Sequence, residues 1–166
     1  MDASAALLYE ERLTSKRTEA LFRALTVLFV LLSIWRVVVR GLDGLAIVLI
    51  LLAAFFLFYA INYRTLIVRL AADALRLKFG LFTWTVRIDN VEDCGVDDVP
   101  LVMRMGGAGI HFMFVRGRYR VSFNVLEYPR VVLALKKKAG PVCDVSFSTR
   151  QPDEVVQRVR QQMAAQ

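Results

Sequence analysis

The sequence predicts a membrane-spanning helical hairpin followed by a mainly β domain that a C-terminal helix closes. Three observations predict it. Residues Gly44 to Ile61 hold no charged and no strongly polar side chain. A helix of that length, at about 1.5 Å per residue, crosses a hydrocarbon core of about 30 Å. After Tyr63 the apolar period changes to two, the mark of strands with one buried face. From Pro152 the spacing becomes helical again, with Val155, Val156, Val159 and Met163 on one side.

Composition agrees with this division. Hydrophobic residues make up 57% of the 166 residues and the mean hydropathy is +0.48, yet the apolar excess ends near residue 63. A soluble helix as long as Gly44–Ile61 would show a polar face, and a chain of this size has little material to wrap it on every side. The remaining hundred or so residues suit one water-facing domain. The net charge of +7 points to an anionic surface. No helix-turn-helix, zinc-finger or RNA-binding signature is present, so a lipid surface is expected rather than nucleic acid.

Taken in order, residues 1–20 mix Glu10, Glu11, Arg12, Lys16, Arg17 and Glu19 with Leu7, Leu8, Tyr9 and Leu13. They read as a short helix in an N-terminal cytoplasmic segment, not as a secretory signal, because no small-residue cleavage site follows the apolar run. A transmembrane hairpin is expected over 21–63, with spans at about 21–39 and 44–62. Arg23 and Arg36 lie within snorkelling reach of an end, Trp35 suits an interface belt, and Gly41 and Gly44 permit a tight connection. The outer flanks carry Arg12, Lys16, Arg17, Arg64, Arg69, Arg76 and Lys78, against Arg36 and Arg40 at the loop. The positive-inside rule therefore places both termini in the cytoplasm.

The domain at 64–166 begins with alternating runs at 66–70, 75–79 and 82–88. Asp89–Pro100 is acidic (Glu92, Asp93, Asp97, Asp98), lacks EF-hand spacing and reads as a solvated loop. Gly106-Gly107-Ala108-Gly109 reads as a bend, since no Lys-Ser/Thr follows it. Ile110, Phe112 and Phe114 lead through Arg116-Gly117 to Tyr119, Val121, Phe123 and Val125, the clearest hairpin of the chain. Val131–Leu135 and Cys143–Phe147 flank a basic turn at Lys136-Lys137-Lys138-Ala139-Gly140-Pro141. The expected core comprises Trp84, Val86, Ile88, Phe112, Phe114, Val121, Phe123, Val145 and Val159. Cys94 and Cys143 stand in no metal-ligand spacing, and His111, the single histidine, sits in an apolar run.

Seven or eight short antiparallel strands closed by one helix, after a two-helix hairpin, resemble the bacterial pleckstrin-homology (PH) domain membrane proteins. The stretches that carry the likeness are Leu75-Arg76-Leu77-Lys78-Phe79-Gly80, Val86-Arg87-Ile88-Asp89-Asn90-Val91, Gly106-Gly107-Ala108-Gly109-Ile110, and Ser148 through Pro152 and Glu154. The resemblance implies a PH-like barrel more than an activity. The basic first hairpin with which eukaryotic PH domains hold phosphoinositides is replaced here by Ala71-Ala72-Asp73-Ala74.

No nucleophile elbow, zinc-ligand cluster or nucleotide loop is present, and no charge lies deep in the apolar spans, so a non-enzymatic module without cofactor or metal is expected. It would sit at the cell membrane as a multi-pass protein and bind a partner protein or the anionic inner-leaflet surface. Arg64, Arg69, Arg76, Arg116, Arg118, Arg120, Lys136, Lys137 and Lys138 are the candidate contact residues. The alternative is an accessory subunit of a larger membrane complex, with Ala46, Ala53, Ala54 and Ala60 giving one helix small residues for close packing.

Overall fold

The computed structural model describes residues 7–98 and 109–166. The chain forms two compact units, one made of Ser15–Arg64 and the other of the segments on either side of it.

The first unit is a pair of helices, α1 (Lys16–Arg40) and α2 (Gly44–Asn62). Ser15 caps α1, its Oγ accepting from the Thr18 amide at 3.0 Å, and Asp43 caps α2 through the Ala46 amide at 2.9 Å. Gly41, at φ +78°, turns the chain between them. Arg36 donates to Asp43 at 3.1 Å and so closes the same corner. The helices pack through Ala46, Ala53 and Ser33, all buried, and through a ladder of rings in which Phe29 stacks on Phe56 at 5.3 Å. Both helices are long and apolar enough to cross a membrane, and only 6% and 11% of their most apolar stretches are buried. That exposure separates them from the core helix of a soluble protein, whose apolar surface is covered.

The second unit opens with a strand where the sequence suggested a helix. β1 (Leu7–Thr14) pairs antiparallel with β2 (Thr65–Ala71), Thr14 opposite Thr65 and Leu13 opposite Leu66. Its Tyr9, Glu11 and Leu13 alternate with Glu10 and Arg12, so it presents a strand period that the surrounding charges hid. The helical hairpin is thus an insertion between two neighbouring strands, and residues 7–14 belong to the β unit rather than to a separate N-terminal segment. Two further strands, β3 (Ala74–Phe79) and β4 (Phe82–Arg87), complete a four-stranded sheet in the order β1-β2-β3-β4. Its inward rows are Leu13–Leu66–Phe79–Phe82 at one end, then Val68–Leu77–Trp84, then Leu70–Leu75–Val86.

A 3-10 turn at Ile88–Asn90 leads to β5 (Val91–Val96). The acidic stretch expected to be a loop is therefore largely a strand, because Val91 and Cys94 turn inward while Glu92 and Asp93 turn out. β6 (Gly109–Val115), β7 (Arg118–Asn124), β8 (Arg130–Ala139) and β9 (Val142–Ser148) complete a second sheet in the order β5-β8-β9-β7-β6. The part of the glycine-rich bend at 106–108 lies outside the described residues. Helix α3 (Pro152–Ala164) follows, with Asp153 and Glu154 in its first turn and Val155 and Val159 buried.

The described strands number nine, in two sheets, and not the seven or eight of a single antiparallel barrel. One pairing, β7 with β9, is parallel. The strand β9 lies between β7 and β8, so the segment at 125–129 must carry the chain past it. Alternation reports which side chains face inward, not which strand becomes the neighbour, and it cannot show such a crossing.

The core joins aliphatic side chains to Phe79, Phe123 and Phe147 and includes the expected Val86, Ile88, Val121, Val145 and Val159, while Trp84 is half-buried. Phe112 and Phe114 depart from expectation, at 53% and 70% exposure. They share a side with Val121, as their register shows, but β6 is the edge strand and α3 packs over β5 and β8 at the other side of the sheet. Their rings rest instead on Tyr119, at 5.8 and 4.8 Å.

Glu11 fixes β1 to the start of α3. Its carboxylate accepts from Tyr9 Oη (2.9 Å), Thr149 Oγ1 (2.6 Å) and the Arg150 amide (3.0 Å). Burial pushes the Tyr9 phenol up to about 12. Arg158 of α3 adds a bond to the Leu8 carbonyl at 2.7 Å.

Candidate functional site

The expected basic residues divide into four places. Arg64 ends the helical unit and pairs with Glu19 at 3.3 Å. Arg69 and Arg76 stand directly opposite each other on the outer face of β2 and β3. Like charges so placed repel, and Glu10, 3.0 Å from Arg69, offsets the pair. Arg69 and then Arg12 hold the Glu10 carboxyl below the usual carboxylate range. Together with Lys78 these residues make the outer face of the first sheet basic.

Arg116, Arg118 and Arg120 do not form one basic face. Arg116 is exposed at the β6–β7 turn. Arg118 donates to Asp144 at 2.8 Å. Arg120, 7% exposed, is not a solvent residue: it meets Asp97 at 2.8 Å and Asp144 at 3.5 Å, and Arg130 reaches Asp97 at 3.4 Å. The alternation that made Arg120 look solvated is correct in period. The outer face of the second sheet is itself buried there, and it carries Ser122, Ser146 and Asn124 with the ion cluster. Three arginines on two aspartates leave this cluster one positive charge, most of it paired internally. His111 shares the face, opposite Ser122, and burial followed by the Arg130 charge lowers its pKa.

The three lysines stand elsewhere, and they line a groove between β4 and the end of β8. β8 does not end at Leu135, because Lys136–Ala139 continue it. Between the pairs Ala134–Asp144 and Ala139–Val142, five residue steps of β8 oppose two of β9, so the lysine segment bulges from the sheet. Asn90 holds the bulge as a strand would, its carboxamide donating to the Lys137 carbonyl at 2.9 Å and accepting from the Lys137 amide at 2.8 Å. Lys136 Nζ donates to the Asp89 carbonyl at 2.9 Å. Turn chemistry at Gly140-Pro141 and the run of charge point to a loop in the sequence; only the partner, Asn90, makes it a strand.

The groove has a volume of about 520 Å³. One wall is β4 from Trp84 to Arg87, and the other is Leu135 to Ala139. Trp84 and Leu135 supply an apolar floor, while Arg87 and the three lysines supply the charge. Among the described residues Asp89 is the only acid lining it, and Arg87 occupies that carboxylate through two bonds of 3.2 and 2.6 Å. The same guanidinium holds the Asp89 carboxyl below the usual range. β4 is the edge of its sheet, so one row of its backbone groups has no neighbouring strand in that sheet.

Register also locates the groove. β4 runs from Phe82, in the row of Leu13 and Leu66, to Arg87, opposite Ala74 at the other end of the sheet. Its length is about 17 Å at about 3.4 Å per residue. The groove wall, Trp84 to Arg87, is thus the part of β4 away from Phe82, and its Thr85 stands opposite Arg76. Trp84 as a groove wall was missed in the sequence; its place in the alternation assigned it to the core.

No known family model matches the chain, and comparison with curated proteins and with solved structures finds no match.

Proposed function

We propose that the chain is a non-enzymatic binding module, anchored in the cell membrane by α1 and α2, that holds an acidic segment of a partner protein in the Lys136–Lys138 groove. The observation that carries this reading is the groove itself: four cations and an exposed strand edge surround an apolar floor whose one acid is already paired. An extended acidic segment matches each of these, with charge for the lysines, backbone for β4 and an apolar side chain for Trp84.

The finer likeness to a PH-like barrel rests on two sheets followed by a closing helix, and the parallel β7–β9 pair departs from it. A cytoplasmic β unit is the reading of the basic flanks. The Thr14–Thr65 pair supports a common side for both outer ends of the hairpin. Cysteines at Leu42 and Ala165 test it: labelling from outside intact cells should reach the first and spare the second, and the reverse pattern sinks the topology.

The binding test uses the full chain in nanodiscs of zwitterionic lipid, with Trp35→Phe leaving Trp84 as the reporting indole. A deca-glutamate peptide should change Trp84 emission saturably. Replacing the three lysines by glutamine should weaken the response about tenfold or more, and so should salt. No response to peptide, or an equal response in the glutamine variant, removes the groove as an acidic-segment site. A response to added anionic lipid alone would give it to headgroups instead.

A further inference from the structure

The turn that joins β3 to β4 is made of the wrong residues for a surface turn. It runs Phe79-Gly80-Leu81-Phe82, with Gly80 at φ +54°. Two-residue hairpin turns are ordinarily glycine with Asn, Asp or Ser. Here Leu81 is 80% exposed and Phe82 45% exposed, whereas Phe79, one turn earlier, is buried in the core. Leu81 therefore adds nothing to the core that a serine would not, and an exposed apolar tip is a liability in water.

Register puts this tip at one particular end of the sheet. Phe82 lies opposite Phe79, Phe79 opposite Leu66, and Leu66 opposite Leu13. One residue further along β1 and β2 is the pair Thr14–Thr65, beyond which the chain passes into α1 through Ser15 and returns from α2 through Tyr63 and Arg64. The apolar tip and the two crossing points of the chain thus share one end of the four-stranded sheet. The next outward row holds Arg12 and Lys78, both exposed. An apolar tip backed by cations is the composition of a segment that lies in a headgroup layer, with its apolar residues below and its charges at the phosphates.

We infer that Leu81 and Phe82 form a membrane-inserting tip, a third attachment of the β unit to the bilayer that α1 and α2 cross. The occupant is the boundary between headgroups and acyl chains, which requires no specific headgroup. The β2–β3 turn at Ala72-Asp73, at the opposite end of the sheet, is the internal contrast: it is small, acidic and exposed. The inference rests on the membrane reading of the two helices, and its test separates the two.

The experiment places an environment-sensitive NBD label on single cysteines in the full chain, in a Cys143→Ser background, reconstituted in phosphatidylcholine vesicles. The positions are Leu81, Ala72 and Leu51, the last in the middle of α2. The label at Leu51 should be quenched by lipid carrying a deep doxyl group. The label at Leu81 should be blue-shifted and quenched several-fold more by a shallow doxyl lipid than the label at Ala72, which should report water. Quenching at Leu51 with equal, water-like signals at Leu81 and Ala72 overturns the tip and leaves the anchor intact. Absence of quenching at Leu51 overturns the anchor, and the tip with it.

Discussion

Asp97, just beyond β5, and Arg120, on β7, meet at 2.8 Å although two strands lie between theirs in the sheet. Asp97 also forms an ion pair with Arg130 at 3.4 Å, so one buried carboxylate serves two buried guanidinium groups. Removing one member of a buried ion cluster costs more than the cluster's net contribution, because the remaining charges stay without compensation. Asp97→Ala should destabilise the β unit by about 3 kcal/mol, a loss of roughly 12 °C or more in melting temperature for a domain of this size. Melting of the full chain in detergent, followed by near-ultraviolet circular dichroism, checks this. A shift of under about 2 °C would mean that the cluster is solvated in practice.

The two sides of β6 and β7 give a second prediction. Val121 is fully buried, while Phe114, two strand positions away on the same side, is 70% exposed. Val121→Asp should prevent stable folding, since an unpaired buried carboxylate is ruinous to a domain stable by about 5–15 kcal/mol. Phe114→Ser should cost about 1 kcal/mol or less, the contact with Tyr119 being its main loss. Equal damage from both would place Phe114 in a covered core.

β1 provides a third. Leu13 is buried against Leu66, and Glu11 ties the strand to Thr149 and Arg150. Leu13→Asp should therefore raise amide exchange in β2 and at the start of α3, far along the chain. Were residues 7–14 an independent N-terminal helix, exchange beyond residue 64 would not change.

The cysteines give the fourth. Both are free, Cys94 buried and Cys143 half-exposed. Burial pushes the Cys94 thiol up to about 12, so at pH 8 the reactive thiolate is on the order of one part in ten thousand. The raised value keeps the proton on the sulfur, and reactivity stays low until pH nears the folded-state value or the domain opens. Maleimide at pH 8 should modify one thiol per native chain and two per unfolded chain, and Cys143→Ser should abolish the native reaction. Prompt labelling of both thiols would show that β5 opens readily.

Periodicity made much of this fold legible. The span Gly44–Asn62, the strands at 66–70, 75–79 and 118–124 and the closing helix all announce themselves by which residues are apolar. What stayed hidden depends on partners distant in sequence. β1 is a strand because β2 lies beside it, across the whole of the helical hairpin. Arg120 is buried because Asp97 and Asp144 converge on it. Lys136–Lys138 are a strand because Asn90 offers them a substitute for one. Phe112 and Phe114 show the converse, for their alternation was right and their neighbours end short of them. Of the candidate site, the lysines were legible as charge; the wall they face, Trp84 to Arg87, required the register of another sheet.

The placement of α1 and α2 between β1 and β2 also dictates an order of birth. β1 leaves the ribosome first, but the strand it must join is made only after both helices. At about 5–20 residues per second it waits seconds, without a neighbour, while the two helices are made. Closing so long a loop by chance carries an entropic cost that grows with its length. The packing of α1 on α2, through Phe29, Phe56, Ala46 and Ala53, draws Ser15 and Arg64 together and removes most of that search. Assembly of the β unit is thereby coupled to the pairing of α1 with α2. A chain whose helices fail to pair is left with the edge of β2 that β1 covers bare, a template for aggregation.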